Sequence, residues 1–387
     1  MADIKAYTIA IPESTVQRLK QKLELTDLPK HEIEGAGWTY GTPLKDIERL
    51  TEYWKTKFDW REREIGLNHL PNFMTQITAD GFDSLDIHFL HQKSQVKGAI
   101  PLLFVHGWPG SFLEVTKMLP FLKGGNGKPA FHVVAPSLPN YVFSSGVTKY
   151  AETCNKLMLA LGYDQYGGDW GFLITRALGK LYPQHVKGSH VNWAFASEPE
   201  WTESNPKPEY SEREKSQLAR GQDWWAGDGR GYTAIQSSKP STIGFAFADS
   251  PIALLAWIYE KLAGWTDSYP WTDDEILTWI SLYYFSTAGP EAPSYHYYEA
   301  VHASDMPVPV LQSYIDIPLG IADFPLEISN SPNSWWGTLG PVVYSKSFDK
   351  GGHFAGWERP EDIVEGLQEM FGKDGGAAGV VDGKSGY

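Results

Sequence analysis

Residues 167–182 read GGDWGFLITRALGKLY, and the fold turns on how that stretch is parsed. Glycines on both sides of Asp169 let the chain turn sharply, and the apolar spacing from Phe172 onward is that of a helix. The pattern Gly-x-nucleophile-x-Gly at a strand-to-helix turn therefore puts Asp169 at the apex, where serine is the more usual occupant. An aspartate there changes the chemistry. Ionised at neutral pH, it attacks without a base, and attack on an sp3 carbon leaves an ester that water can cleave, whereas serine would leave a stable ether. The substrate should then carry a strained or activated saturated carbon. The plainer role for Asp169 is that of a helix cap.

Working outward, IPLLFVHGWPG (100–110) and FHVVAPSLPNYVFSS (131–145) are apolar runs of strand length, with a helix predicted between them over Phe112–Leu122. Strand, helix, strand at this spacing gives a right-handed crossover and a parallel sheet. HGWPG ends the first of these strands. There it aims the backbone N–H of Trp108 at charge developing beside the nucleophile, with the N–H of Trp170 as its partner in an oxyanion hole. His106, Gly107 and Pro109 shape that turn, as Gly167 and Gly168 shape the one before Asp169; the simpler reading is a tight turn that His106 holds shut. Late in the chain, GGHFAGWERP (351–360) sets His353 after two glycines, where a triad base follows its nucleophile and acid. Glu327 in DFPLEIS, beyond a strand ending near Pro318, is the preferred acid, with Asp316, Asp323 and Asp349 as alternatives. His296 and His302 are less well situated.

The remaining segments frame these motifs. Val16, Leu19 and Leu23 after Ser14, and Leu44, Ile47, Leu50, Tyr53, Trp54 and Phe58, form two amphipathic helical stripes, and residues 72–94 read as a hairpin around Asp80-Gly81. Residues 197–231 have little periodicity; helical stretches follow at 251–263, 273–286 and 295–303. Strand-plus-helix alternation resumes at Val308, continues through PVVYSKSF from Pro341, and closes with a helix opened by Pro360. A glycine-rich tail from Gly372 is expected to be mobile. The division is an N-terminal meander at 1–95, a first core part at 96–196, a helical cap at 197–304 and a second core part at 305–387. The fold class is α/β, with a mostly parallel central sheet, an inserted cap and a wrapping meander. Ahead of Asp169, Tyr163-Asp164-Gln165-Tyr166 is brief and polar for a buried strand, which predicts a displaced nucleophile.

Composition narrows the partners. With 33 Lys and Arg against 47 Asp and Glu, the 387-residue chain carries a formal charge of −14 and repels phosphate, so nucleic acid is excluded. No window nears the roughly 18 apolar residues of a membrane span, no basic head precedes an apolar run at the start, and Cys154 is alone, so a cytosolic home is expected. The 16 Trp and 20 Tyr point to an aromatic-walled pocket or to heavy packing between layers.

With these residues in place, the chain resembles the epoxide hydrolases of the microsomal type, in their soluble, anchor-free form, within the α/β-hydrolase superfamily. The resemblance runs through YTIAIPES (7–14), WTYGTPL (38–44), FDWREREIGLNHLPNF (58–73), HGWPGSF (106–112), HVVAPSLP (132–139), GGDWG (167–171), the long run from GYTAIQSSKP to GWTD (231–267), and GGHFAGWERP. It implies an α/β-hydrolase fold and conversion of an epoxide to a vicinal diol with water, without metal or organic cofactor. It also implies Asp169 as nucleophile, Glu327 as acid and His353 as base, with amides from Trp108 and Trp170. Two cap tyrosines that hold the epoxide oxygen match Tyr232 and, in SYHYYEA (294–300), Tyr298, with Tyr297 and Tyr295 as competitors. The expected substrate is an apolar or aryl epoxide, and the leading segment leaves a homo-oligomer open. Against the family pattern the chain is several residues shorter after LPNYVFSSGVTK and again before GGDWG, and it has Asn140 and Val142 where glycines are usual. The rival readings are a haloalkane dehalogenase using the same Asp169, and a non-catalytic binding protein built on a decayed hydrolase.

Overall fold

The apolar run Ile100–Phe104 is buried at all five positions and lies inside the sheet. Its side chains alternate between two cores: Leu102 and Phe104 join one, Leu103 and the following Val105 the other. That is the period of a strand covered on both faces, where each fully buried Leu or Phe contributes about 1.5–3 kcal/mol. The computed structural model describes residues 3–139, 147–169, 171–302 and 306–387, with the side chains of 147, 148, 168 and 169 outside that description. Asn140, Val142 and the expected cap boundary at 304 thus fall outside the described residues.

Among the described residues the strands are β1 (Lys5–Ala6), β2 (Asn72–Thr78), β3 (Ser84–Gln92), β4 (Ile100–Phe104), β5 (Phe131–Pro136), β6 (Tyr166–Asp169), β7 (Val186–Val191), β8 (Leu319–Asp323) and β9 (Val342–Ser347). They form one sheet in the order β1-β2-β3-β5-β4-β6-β7-β8-β9. The hairpin β2–β3 turns at Asp80-Gly81 and joins the rest through antiparallel β3–β5 pairing, and every pair from β5 to β9 is parallel. The sheet is therefore mostly parallel, with helices on both faces: an α/β-hydrolase fold.

The helices are α1 (Glu13–Glu24), α2 (Leu44–Thr56), α3 (Trp60–Asn68), α4 (Val147–Ala160), α5 (Phe172–Leu181), α6 (Glu212–Ala226), α7 (Gly231–Ser238), α8 (Pro240–Asp249), α9 (Pro251–Gly264), α10 (Asp273–Tyr284), α11 (Ala292–His302), α12 (Val308–Leu311), α13 (Ala355–Glu358) and α14 (Pro360–Phe371). Helices α6 to α11 lie between β7 and β8 in the chain. Leu50 and Trp54 of α2 share a core with Leu255 and Ile258 of α9 and Leu277 and Ile280 of α10. Lys22 Nζ donates to the carbonyls of Ala248 and Asp249 at 3.0 and 2.6 Å, and Arg49 pairs with Asp273, so the N-terminal helices bind to these insertion helices directly. No single described helix is long and apolar enough to cross a bilayer.

Four expectations are corrected. Over Phe112–Leu122 the chain makes two short 3-10 turns, because Pro120 lacks an N–H and Thr116 Oγ1 competes for the Leu113 carbonyl at 2.6 Å. The run from Val308 begins with the helical turn α12, and the strand starts after Pro318, where Leu319–Asp323 is fully buried. The stretch 197–231, read as irregular, contains α6, whose signal is the capping box of Ser211 and Glu214. Finally, the tail from Gly372 is tied down: Ala377 and Val381 are buried, Gly386 N donates to Gly98 O, and Ala130 N donates to Gly386 O at 2.7 and 2.8 Å. Glycine content marked it as loose; two apolar side chains and a pair of backbone bonds hold it.

Candidate active site

The strand ahead of Asp169 is short but central. β6 pairs with β4 through Phe104↔Asp169 and with β7 through Asp169↔His190, so the predicted displacement does not occur. Polar material suffices because little of it is used: Tyr166 is fully buried with its hydroxyl 3.0 Å from Asn155 Oδ1, and two glycines follow. A Cβ on Gly167 would stand 3.0 Å from the Phe371 ring, and one on neighbouring Gly188 2.8 Å, so their absence lets α14 approach the sheet. Gly171 then adopts φ +61° in the left-handed region, with Val105 O and Cγ1 3.0 Å from where its Cβ would be, and α5 begins. This is the sharp turn expected after the nucleophile strand. The Asp169 side chain and all of Trp170 lie outside the described residues.

His106 and the turn after β4 are held from both sides. His106 is fully buried, its Nε2 accepts the Leu138 N–H at 3.1 Å, and burial pulls its pKa down to about 4, so it is neutral. From α10, Trp279 Nε1 donates to Pro109 O at 2.5 Å and Tyr283 Oη to Gly110 O at 2.7 Å. The Trp108 ring is buried and stacks on Tyr232 of α7, with centroids 5.0 Å apart.

On the later loops, His353 Nδ1 lies 2.6 Å from Glu327 Oε1. The same oxygen accepts the Ile328 N–H at 2.7 Å, while Asn192 Nδ2 donates to Glu327 Oε2 at 3.2 Å and to His353 O at 3.1 Å. Asn192, just after β7, thus ties Glu327 to the His353 loop; its signal in the sequence is a polar residue directly following a buried strand. Where Nδ1 carries the proton toward the carboxylate, Nε2 is the ring nitrogen with a lone pair to accept one. The alternative acids are elsewhere. Asp323 is occupied by Arg213, Gln217, Asn330 and Ser347, and Asp316 and Asp349 are exposed.

Trp265, at the end of α9, joins His353 to the inserted helices. Its carbonyl accepts the His353 N–H at 2.7 Å, and its ring lies 5.2 Å from the His353 ring and 5.3 Å from the Tyr232 ring. The partner of Tyr232 is Tyr297, not Tyr298: their ring centroids are 5.7 Å apart, nearly perpendicular, and their hydroxyls interact. Tyr297 also meets Trp108 at 5.6 Å. Tyr298 is 39% exposed, stacks on His302, and with Tyr295 lines an open cleft on the other side of α11 beside Lys239 and Thr242. Successive helix positions point about 100° apart, so the inward place belongs to one tyrosine of the run, and the signal for it was the face of α11 rather than the motif. Burial raises the pKa values of Tyr232 and Tyr297 well above that of free tyrosine, which keeps both phenols protonated as hydrogen-bond donors.

The β6-to-α5 turn, then Glu327 and His353 in that chain order, on a mostly parallel sheet with α6 to α11 inserted between β7 and β8, are the layout of an α/β hydrolase. The family model described as "alpha/beta hydrolase fold" matches residues 100–228, and the one described as "Epoxide hydrolase N terminus" matches residues 4–115. The chain belongs to the epoxide hydrolase family. It is 32% identical to epoxide hydrolase 1 of Sus scrofa over 95% of its own length and 88% of that protein's. Its structure is similar to that of Aspergillus niger epoxide hydrolase, with a TM-score of 0.81 at 32% identity over 94% of each chain. It is similar also to juvenile hormone epoxide hydrolase from Bombyx mori, at 0.85 and 28% identity over 95% and 93% of the two chains.

Proposed function

We propose that this enzyme hydrolyses an apolar or aryl epoxide to a vicinal diol through an ester on Asp169. The Asp169 carboxylate attacks one ring carbon while Tyr232 and Tyr297 hold the oxygen and supply its proton. His353, oriented by Glu327, then takes a proton from water as it adds to the ester carbonyl, and the amides of Trp108 and Trp170 stabilise the resulting oxyanion. Collapse of that adduct, with the His353 proton passing to the departing oxygen, releases the diol. The proton left on the regenerated carboxyl returns to the phenol. The observation that supports the reading is Trp265, a single indole packed against both His353 and Tyr232, which brings the proposed base and phenol into one aromatic cluster. Phenols can protonate the oxygen of an opening epoxide, whereas a departing halide needs no proton, which favours an epoxide over a haloalkane. We assign the protein to the cytosol on its one cysteine, Cys154, whose thiol burial pushes up to about 12.

A single turnover in heavy-oxygen water tests it. The first diol should carry unlabelled oxygen from Asp169, with label entering the protein. Label passing directly into that diol would exclude the covalent route, halide release from a haloalkane panel would favour the dehalogenase, and tight epoxide binding without turnover the decayed hydrolase.

A further inference from the structure

Helix α9 turns Leu254, Leu255, Ile258 and Leu262 into the apolar interior, and among them it buries a lysine. Lys261 is 4% exposed. Its Nζ lies 4.7 Å from the centroid of the Tyr232 ring, 5.7 Å from that of Trp257 and 5.9 Å from that of Trp265. Its carboxylate partner is the neighbouring Glu260, which is partly exposed. Burial lowers the ammonium pKa and the Glu260 carboxylate at the rim opposes that shift, so this lysine, set among three rings, has one counter-ion. Taking an ammonium out of water is costly, and a leucine or methionine would fill the same space without that cost. Two of the three rings, Tyr232 and Trp265, already belong to the site.

We propose that Lys261 is a positioning residue for Tyr232, its ammonium stabilising the phenolate that forms when this phenol protonates the opening epoxide. The inference rests on the covalent reading above. In that step an Asp169 oxygen bonds to the ring carbon, the C–O bond of the epoxide breaks with its electron pair going to oxygen, and the Tyr232 proton moves to that oxygen. The products are the hydroxy ester and a phenolate. Before the step Tyr232 offers the ammonium only the quadrupole of a neutral ring and after it a full negative charge shared with that ring, while the Glu260 carboxylate, whose charge opposes the phenolate, is present throughout. The attraction therefore grows along the reaction coordinate, which is the condition for speeding the step rather than merely tightening binding. Hydrolysis of the ester, driven by His353, gains nothing comparable from it.

The test is single-turnover kinetics of the full chain with styrene oxide, following ester formation and ester hydrolysis separately by stopped-flow tryptophan fluorescence and quenched-flow mass spectrometry. Lys261→Met should slow ester formation by at least about tenfold and leave ester hydrolysis within about twofold, and Lys261→Arg should recover most of the loss. In a Tyr232→Phe background the Met substitution should add nothing to the slowing of ester formation. If Lys261→Met does not fold, Lys261→Gln is read by the same criteria. Ester formation unchanged in the neutral variant, equal slowing of both steps with Arg no better than Met, or a full additional loss in the Tyr232→Phe background would each overturn the proposal. Failure of the wild type to form an ester would instead overturn the covalent reading beneath it.

Discussion

Glu327 is fully buried and touches His353 at 2.6 Å, so the imidazole is held by an acid that water does not reach. The acid's other contacts are both donors, the Ile328 N–H and the Asn192 amide. Glu327→Gln must therefore turn an NH2 group toward one of these donors or toward His353 Nδ1, and the imidazole loses its orientation and its tautomer. Hydrolysis of the ester should slow by roughly 10²–10⁴-fold while ring opening stays close to wild type. Intact-protein mass spectrometry of a quenched reaction should then find the ester accumulating. An unmodified protein with normal turnover would refute the assignment of Glu327.

The two neighbouring tyrosines of α11 give a sharp contrast. Tyr297 interacts with Tyr232, and Tyr298 looks outward from the cap. Tyr297→Phe and Tyr232→Phe should each lower the rate of ring opening by at least about tenfold, whereas Tyr298→Phe should stay within about twofold of wild type. Steady-state kcat on an aryl epoxide is enough to tell them apart, and a larger loss at Tyr298 than at Tyr297 would restore the order expected from the motif.

Much of this was legible in the sequence because it is local. The turn from β6 into α5 announces itself in five consecutive residues, the parallel core in two strand-length apolar runs, and the loop that brings His353 to Glu327 in two glycines before it. What was hidden depends on packing between distant segments. Which of Tyr295, Tyr297 and Tyr298 faces the site depends on the rotation of α11 against α7, which the short SYHYYEA run does not encode. Tyr163–Tyr166 was poor material for a buried strand only on the assumption that the strand needed those residues. Gly167 and Gly188 instead make room for Phe371, some two hundred residues later in the chain, so the sheet closes through what the glycines lack. Asn192 and Trp265 become site residues only once β7, α9 and the His353 loop are side by side.

The turn after β6 should be intolerant of a single methyl group. Gly171 has φ +61°, and its missing Cβ would sit 3.0 Å from both Val105 O and Val105 Cγ1. Gly171→Ala should lower stability by about 1–2 kcal/mol from the left-handed backbone alone, and relief of the contact would move the turn that carries Asp169. Thermal unfolding should reveal the stability loss, and the rate of ester formation should fall with it. A variant with wild-type melting and turnover would mean the turn is looser than its geometry.

Glu358 predicts how stability depends on pH. Its carboxylate accepts the Gly352 N–H at 2.7 Å and the Asp267 N–H at 2.9 Å, and Asp267 Oδ2 accepts the Gly351 N–H at 2.9 Å, which laces the end of α9 to the loop that carries His353. Burial, reinforced by the negative charges of Asp267 and Glu327 and opposed by the two amides, raises its pKa from 4.5 to about 7. The folded chain therefore holds this proton more tightly than the unfolded chain does. The stability associated with it is fully present below pH 4.5 and is lost as pH rises through about 7, amounting to roughly 3 kcal/mol at about 1.4 kcal/mol per pH unit. Glu358→Gln cannot titrate. Between pH 5 and pH 8 the difference in unfolding free energy between the two proteins should accordingly move by roughly 2–3 kcal/mol in favour of the variant, whatever the substitution costs at either pH. Urea denaturation at the two pH values measures this directly, and parallel pH profiles would mean that Glu358 ionises in the folded protein as freely as in the unfolded chain.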